Sequence, residues 1–499
     1  MVVQKHKNLI TVGIMLSIFM ASMESTVVAT AMPTIVSQVG GLEHYSWVFS
    51  AFLLTSTTFV PLYGKLSDLY GRRNVYLVAM VLFLVGSLLC GLAQTMTQLI
   101  LCRALQGLGA GGVLPLAFIM TGEMFTLEQR ARMQGIFSGV WGVSSIVGPL
   151  LGGFIVDQLS WPWVFYINLI PGLFALALVW WAWQDQSHTG QKPTIDYAGS
   201  VVLTLGVVTL LLGLMDPGSV TSWALLGLTV LLFGLLAVIE RRAPDPVLPL
   251  PLFRSRLFTG AVLHGLLSGW AMFGSLSFVP LFAQAVLGAT PTEAGATLTP
   301  MLLGWVASSI IGSRLLLRIN YRTLIVIGTA ALTVGAGLLA LWGKNVNSIT
   351  LIGFLTIMGI GMGFTVSSFM IAVQSAVERK SLGAATAMLQ FSRSIGGTLG
   401  VSVMGALLSA RLIADLSAAG MDLNAVDSLL APDIGAGAVV DASMRLMVAD
   451  ALASVFLVAF IGALLGLVAV LILTPSEQIN PGDHQPADKE EPLPILGFE

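Results

Sequence analysis

Charge is what this chain has least of. Only 10% of its 499 residues are Asp, Glu, Lys or Arg, against about 25% in an ordinary soluble domain. Hydrophobic residues make up 56% and the mean hydropathy is +0.89, so the composition excludes a soluble globular protein and calls for lipid as solvent. Cysteine is nearly absent as well. Cys90 and Cys102 both fall within apolar runs, where they read as small packing residues rather than a disulfide or a metal site. The sequence has no Cys/His cluster, no phosphate-binding glycine loop and no nucleophile-elbow string, which leaves metal, nucleotide and hydrolase chemistry without a motif. The formal net charge of −2 says little; where the charges sit says far more.

What is present is apolar length. A helix crosses a bilayer with about 20 largely apolar residues, and that window finds spans near 9–36, 46–66, 74–94, 97–121, 133–157, 163–183, 197–215, 221–239, 258–287, 293–318, 322–342, 347–376, 382–412 and 446–473. The run from Leu9 is too long for a signal peptide and has no small-residue cleavage site, so it is expected to remain as the first span. Lys and Arg favour the cytoplasmic side. With both termini inside, all but five of the 23 fall on cytoplasmic segments; Lys344, Arg411 and Arg445 lie outside, and Arg103 and Arg393 within spans. Shifting the frame by one helix destroys that asymmetry, so an even number of spans is expected.

The hairpin 197–239 carries no intramembrane charge and sits at the middle of the chain, with six spans on either side. The expected architecture is therefore an all-α membrane protein of 14 transmembrane helices arranged 6+2+6. An N-terminal six-helix bundle occupies 1–190, a two-helix hairpin and interfacial linker 191–257, a C-terminal six-helix bundle 258–475, and a disordered cytoplasmic tail 476–499. The outside loop 413–445 is the longest, acidic and rich in Ala and Gly. A weak repeat supports two bundles. The string Ser313–Arg322 (SRLLLRINYR) occupies the place of 64–73, with Leu317 at the position of Asp68 and Asn320 at that of Gly71. Any device built on Asp68 thus belongs to the first half alone.

Five places carry charge, titratable groups or backbone features that lipid alone does not explain. Glu24 lies near the middle of the first span, about 22 Å from its start at 1.5 Å per residue. An ionised acid there costs a few kcal/mol, so it should face a water-filled cavity or carry a proton; otherwise it is a packing acid hydrogen-bonded to a neighbour. Arg103 sits in the fourth span and cannot lose its proton. Either it reaches Glu24 and keeps that acid from being permanently protonated, or it ties helix backbones together through carbonyls. Gly148, Pro149, Gly152 and Gly153 form a small-residue, kinked stretch of the fifth span that lets two helices touch. In the second bundle Arg393 has no acid opposite it, which leaves carbonyls, water or substrate to satisfy it. His264 could titrate near neutral pH or be structural.

The hairpin Gly64-Lys65-Leu66-Ser67-Asp68-Leu69-Tyr70-Gly71-Arg72-Arg73 packs three basic residues and an acid between two apolar runs. The span that starts near Ser381 offers a helix N-terminus, with free N–H groups and a partial positive charge. Asp68 docked there, with Arg72, Arg73, Arg130 or Arg132 nearby, would latch the two bundles together with about 0.3–2 kcal/mol, weak enough to break on every cycle.

These strings together resemble the major facilitator superfamily. The hairpin is similar to its loop-2/3 signature, G-x-L-x-D-x-x-G-R-R. Met23–Pro33 resembles the first-helix motif of its fourteen-helix drug:proton antiporters, with Glu24 where the family usually has Asp and Thr30 where it has Asn. Arg103-Ala104-Leu105-Gln106-Gly107-Leu108-Gly109-Ala110 resembles the fourth-helix R-x-x-Q-G-x-G-A, Gly148–Gly153 the antiporter GP-x-x-GG, Trp161–Gly172 the start of the sixth helix, and Arg393–Gly400 a thirteenth-helix string. The resemblance implies a major facilitator fold and a multidrug efflux antiporter that exchanges lipophilic, mostly cationic compounds for protons by alternating access. In that reading Glu24 and Arg103 couple protons, Glu24, Thr30, Gln106 and Arg393 line the substrate cavity, and Gly64, Asp68, Gly71, Arg72 and Arg73 form the latch. It implies no cofactor, since the proton gradient drives the cycle, and no nucleic-acid partner. The expected setting is a monomer, multi-pass in the plasma membrane with both termini cytoplasmic. Export of an endogenous anion, lipid or siderophore anchored on Arg393 is the alternative within transport, and a membrane receptor or scaffold the alternative outside it.

Overall fold

The computed structural model describes residues 6–39, 45–184, 196–215, 219–243, 250–289, 293, 296–316, 318–342, 347–378, 381–419 and 442–475. Those residues are helical apart from short turns, with no strand among them. The helices are α1 (Lys7–Val39), α2 (Tyr45–Tyr70), α3 (Arg72–Gly91), α4 (Met96–Met124), α5 (Leu127–Gln158), the single turn α6 (Trp163–Tyr166), α7 (Leu169–Ala182), α8 (Tyr197–Met215), α9 (Val220–Arg242) and α10 (Arg256–Ala285). They continue as α11 (Thr299–Leu315), α12 (Tyr321–Trp342), α13 (Ser348–Ala376), α14 (Leu382–Ala419) and α15 (Ala442–Leu473). The tail 476–499, Leu317 and most of the loop 413–445 lie outside the described residues.

Among the described residues, eleven helical segments are long and apolar enough to cross a membrane, which makes the chain a multi-pass membrane protein. Three expected spans fall outside that set. The apolar stretch of α8 and the whole of α11 are too short, and α5, 32 residues long, includes side chains outside the described residues. Elsewhere the ends follow from capping. The Thr95 hydroxyl accepts from the Gln98 N–H at 3.2 Å to open α4, and Thr126 with Gln129 closes a capping box on α5. The turn between α2 and α3 is one residue, Gly71, at φ 88°, a conformation that side-chain-bearing residues rarely adopt.

The repeat glimpsed at 313–322 extends through three helices and is written in glycine contacts. A Cβ on Gly107 would run into the Phe52 carbonyl, and one on Gly359 into that of Met301. On Gly109 it would overlap the Phe83 nitrogen, and on Gly361 that of Leu332. On Gly111 it would overlap the Ser56 carbonyl, and on Gly363 that of Trp305. All three glycines are related to their counterparts by one constant step along the chain, and all three contacted residues by another, shorter by three positions. So α4 wedges between α2 and α3 as α13 wedges between α11 and α12. Small residues are what let backbones come this close in a membrane, where packing rather than the hydrophobic effect holds helices together.

The buried apolar clusters divide along the chain in the same way. Two draw only on residues between Ile10 and Trp183, and two only on residues between Leu257 and Val470. A fifth joins Val60 of α2, Leu203 and Val207 of α8, Leu236 of α9, and Ala387, Phe391 and Ile395 of α14, so the α8–α9 hairpin rests against both groups. Polar contacts between the groups gather at the end that carries Asp68. There Ser138 of α5 bonds Ser309 of α11 at 2.6 Å, Arg130 Nη1 donates to the Gln374 carbonyl at 3.2 Å, and Gln374 Nε2 donates to the Phe118 carbonyl at 3.3 Å.

Candidate functional site

The first group of helices encloses a polar cluster built around a buried acid. Glu24 of α1 and Arg103 of α4 are each 1% exposed, and Arg103 Nη1 stands 2.5 Å from Glu24 Oε1. An arginine held in this medium needs a partner for every N–H it can place. Nη1 also donates to Gln106 Oε1 at 2.7 Å, Nε donates to the Val48 carbonyl at 3.2 Å, and the guanidinium lies 4.2 Å from the centre of the Phe52 ring. Arg103 thus makes both kinds of contact open to it, one with the acid and one with a backbone carbonyl of α2.

The second oxygen of Glu24 is held by Asn168, whose Nδ2 donates to Oε2. Nδ2 also donates to Ser87 Oγ of α3 at 3.1 Å. Gln106 Nε2 donates to the same hydroxyl at 3.0 Å, and the hydroxyl donates on to the Phe165 carbonyl at 2.9 Å. Asn168 lies between α6 and α7, and its own N–H also donates to that Phe165 carbonyl, at 3.2 Å. The break at 167–168 thereby points an amide into the cluster. The repeat carries none of this into the second group. In the register that sets Gly107 on Gly359, Arg103 becomes Leu355 and Gln106 becomes Met358, both buried and apolar.

Of the settings the sequence left open for Glu24, this conformation shows the acid packed against hydrogen-bonding neighbours and not facing a cavity. Glu24, Gln106, Ser87 and Asn168 are all within 1% of complete burial, so in this conformation the carboxylate touches protein groups rather than water. The charge of Arg103 and the Asn168 amide replace the hydration it would otherwise need. Thr30 lies on α1, and its side chain is outside the described residues. Arg393 of α14 is half-buried, with Nη2 donating to Gln390 one turn back on its own helix. His264 of α10 is 2% exposed and leans on the Phe369 ring, centroids 5.1 Å apart.

At the end of the molecule where the groups meet, Asp68 Oδ1 accepts from the Gly383 N–H at 3.3 Å and Oδ2 from the Ala384 N–H at 3.0 Å. These are the first turn of α14. Arg72 Nη2 stands 2.5 Å from Asp68 Oδ1, Nη1 donates to Ser67 Oγ at 2.8 Å, and Nε lies 3.4 Å from Glu123 Oε2 at the end of α4. A Cβ at Gly64 would lie 2.5 Å from that of Ala387, and one at Gly383 would lie 2.5 Å from Asp68 Oδ1, so only glycine lets the carboxylate reach the helix end. Arg73 follows Arg72 in the first turn of α3, and Arg130 bonds across to α13.

Of the small-residue stretch of α5, Gly148 and Gly152 are buried, while Pro149 and Gly153 lie outside the described side chains. The seam with α11 falls nearer the start of α5, where a Cβ on Gly142 would meet Val306 at 2.7 Å. Sequence reasoning missed Asn168, Ser87 and Glu123. Asn168 stood in the sixth-helix string with no role attached, and a lone Ser in α3 or an acid at a helix end gives no charge signal inside the membrane.

A model of the Major Facilitator Superfamily matches residues 14–401. The multidrug transporter protein MdtP of Bacillus subtilis is 40% identical, over 82% of this chain and 76% of its own length. Multidrug resistance protein 3 of the same organism is 37% identical, over 81% and 80%. Among solved structures, the human organic anion transporter MFSD10 shares the fold with a TM-score of 0.61, over 91% of this chain and 99% of its own, at 13% identity.

Proposed function

The chain belongs to the Major Facilitator Superfamily, and from that membership we propose that it is a multidrug efflux transporter that exchanges lipophilic, mostly cationic compounds for protons. It is a transporter and not an enzyme. Two relatives named for multidrug transport and resistance support the substrate class. The single observation that carries proton coupling is the Glu24–Arg103 pair, an ionisable acid and a permanent cation enclosed together in the first group of helices.

The coupling follows from the cost of breaking that pair. Protonating Glu24 neutralises one partner and leaves a buried guanidinium without compensation, which is strongly unfavourable. Arg103 must then find other acceptors, and α1 and α4 must shift to supply them. A proton is thereby exchanged for a conformational change. In the proposed cycle the 6+2+6 helices work as two bundles that rock about a central cavity, with both termini and the Asp68 end on the cytoplasmic side. The present arrangement, held together at that end, is then the outward-facing form. In the inward-facing form Glu24 gives up its proton to the cytosol and a cation takes the cavity beside it; on the outside a proton displaces the cation. The protein acts as a monomer, needs no cofactor beyond the proton gradient, and works in the plasma membrane.

The test is dye efflux from proteoliposomes under an imposed pH gradient, with cationic, neutral and anionic dyes. Wild type is expected to drive cationic dyes uphill and to stop when the gradient is collapsed. Glu24→Gln is expected to abolish gradient-driven movement; uphill transport that survives this substitution refutes the assignment. An anionic dye whose export is lost in Arg393→Ala and kept in Glu24→Gln favours the anion reading instead. Charge number gives a second prediction. One proton against a monovalent cation moves no net charge, whereas one proton against a dication sends a positive charge out against an inside-negative potential. That costs about 2.3 kcal/mol per 100 mV, so the dication gradient attainable at 100 mV falls about 50-fold. Equal accumulation ratios for mono- and dications would sink the single-acid scheme.

A further inference from the structure

We propose that Asn168 is a positioning residue that sets how tightly Glu24 holds its proton, through a neutral amide that donates to the oxygen opposite the one Arg103 holds. The inference rests on the reading of Glu24 as the proton carrier and names a residue that this reading leaves without a part. Arg103 takes Oε1 and Asn168 Nδ2 takes Oε2, so between them they occupy both ends of the carboxylate. Arg103 is the one charged group that the described residues bring to Glu24; the Cys90 thiol of α3 borders the cluster, donating to Gln106 Oε1 at 3.8 Å.

Two features set Asn168 apart from a packing amide. It is 1% exposed, yet its Oδ1 is buried with no hydrogen-bond partner among the described residues, while Nδ2 serves two acceptors. An asparagine placed only for structure would satisfy its oxygen, because an orphaned buried acceptor is costly. An asparagine placed to donate into an ionised acid accepts that cost. The same side chain also suits the other protonation state. Turned over about its terminal bond, it presents Oδ1 to Glu24, where it can accept from a protonated Oε2. In this orientation it favours the ion, and in the turned orientation the acid. The short break between α6 and α7 fixes the backbone from which it does so, because the Phe165 carbonyl receives both the Asn168 N–H and the Ser87 hydroxyl. Ser87 in turn accepts from Asn168 Nδ2 and Gln106 Nε2, which ties the amide to the Arg103 side of the cluster.

The experiment is an infrared titration of the full-length protein in lipid. The Glu24 carboxyl band is assigned by its disappearance in Glu24→Gln. Asn168→Leu, close in volume and unable to donate, and Asn168→Ala, smaller and free of steric conflict, are titrated beside wild type. Loss of a donor to the ion is expected to raise the midpoint of the band by about one pH unit, tenfold in proton affinity, in whichever variant folds. A midpoint unchanged in a folded variant overturns the proposal, since a purely structural amide would leave it where it was. Transport measured against pH in the same variants addresses the other reading separately. A band that moves while the pH dependence of efflux stays put leaves Asn168 in its role and removes Glu24 as the carrier.

Discussion

Replacing Arg103 with methionine should cost the protein about 3–5 kcal/mol of stability, the range for stripping one partner from a buried ion pair. The loss does not come from the bond alone. Glu24 would remain at 1% exposure with one oxygen facing an apolar side chain, and the Val48 carbonyl and Gln106 Oε1 would each lose a donor. The informative comparison is the double variant Glu24→Gln/Arg103→Met. With neither charge present, no ion is left uncompensated, and buried pairs replaced by neutral groups of similar volume are often tolerated. The double variant is therefore expected to unfold at a higher temperature than Arg103→Met alone, with a coupling of about 0.5–3 kcal/mol for residues in one network, while neither variant moves substrate against a gradient. Thermal unfolding of the purified proteins in one detergent checks this. Simple addition of the two single effects would mean that the pair is not energetically a pair.

The polar cluster was half legible in the sequence, and the reason is charge. A carboxylate and a guanidinium in the middle of apolar runs are conspicuous because lipid makes them expensive, so Glu24 and Arg103 stand out from hydropathy alone. A neutral amide or hydroxyl carries no such flag. Asn168 and Ser87 complete the site through hydrogen bonds whose geometry depends on where α3 and the α6–α7 break pack. Enclosure was equally out of reach: hydropathy gives the depth of Glu24 and says nothing of whether its neighbours are water or protein. The repeat shows the same limit. At 313–322 it is faint in sequence because Asp68 and Gly71 have been replaced in the second copy. In structure it is plain, since the contacts of Gly107, Gly109 and Gly111 recur at Gly359, Gly361 and Gly363, although Leu108 and Ala110 between them have become Ile360 and Met362. Backbone approach preserves glycine where side-chain chemistry has been lost.

Asp68→Asn should lower transport at least about tenfold without disturbing the Glu24 cluster, because it acts on the contact between the groups. The carboxylate receives two N–H groups from the start of α14 and faces Arg72. Asparagine keeps one acceptor and puts a donor where the other was, opposing an N–H of Gly383 or Ala384. A charge at a helix N-terminus contributes about 0.3–2 kcal/mol, and hydrogen bonds to a charged group about 1.5–3 kcal/mol. A change of about 1.4 kcal/mol already shifts a two-state equilibrium tenfold. Arg72 would keep Glu123 at 3.4 Å but would no longer bridge it to α14. The second copy cannot compensate, since Leu317 stands at the equivalent position in the sequence. A spin-label pair on α2 and α14 near this end should show the wild-type short distance giving way to a longer one in Asp68→Asn, and Gly383→Ala, whose Cβ would lie 2.5 Å from Asp68 Oδ1, should do the same. Because both substitutions act on one contact, the double variant should be little worse than either alone. Unchanged distances in Asp68→Asn, or effects that add in full, would show that the carboxylate does not hold this end of the molecule shut.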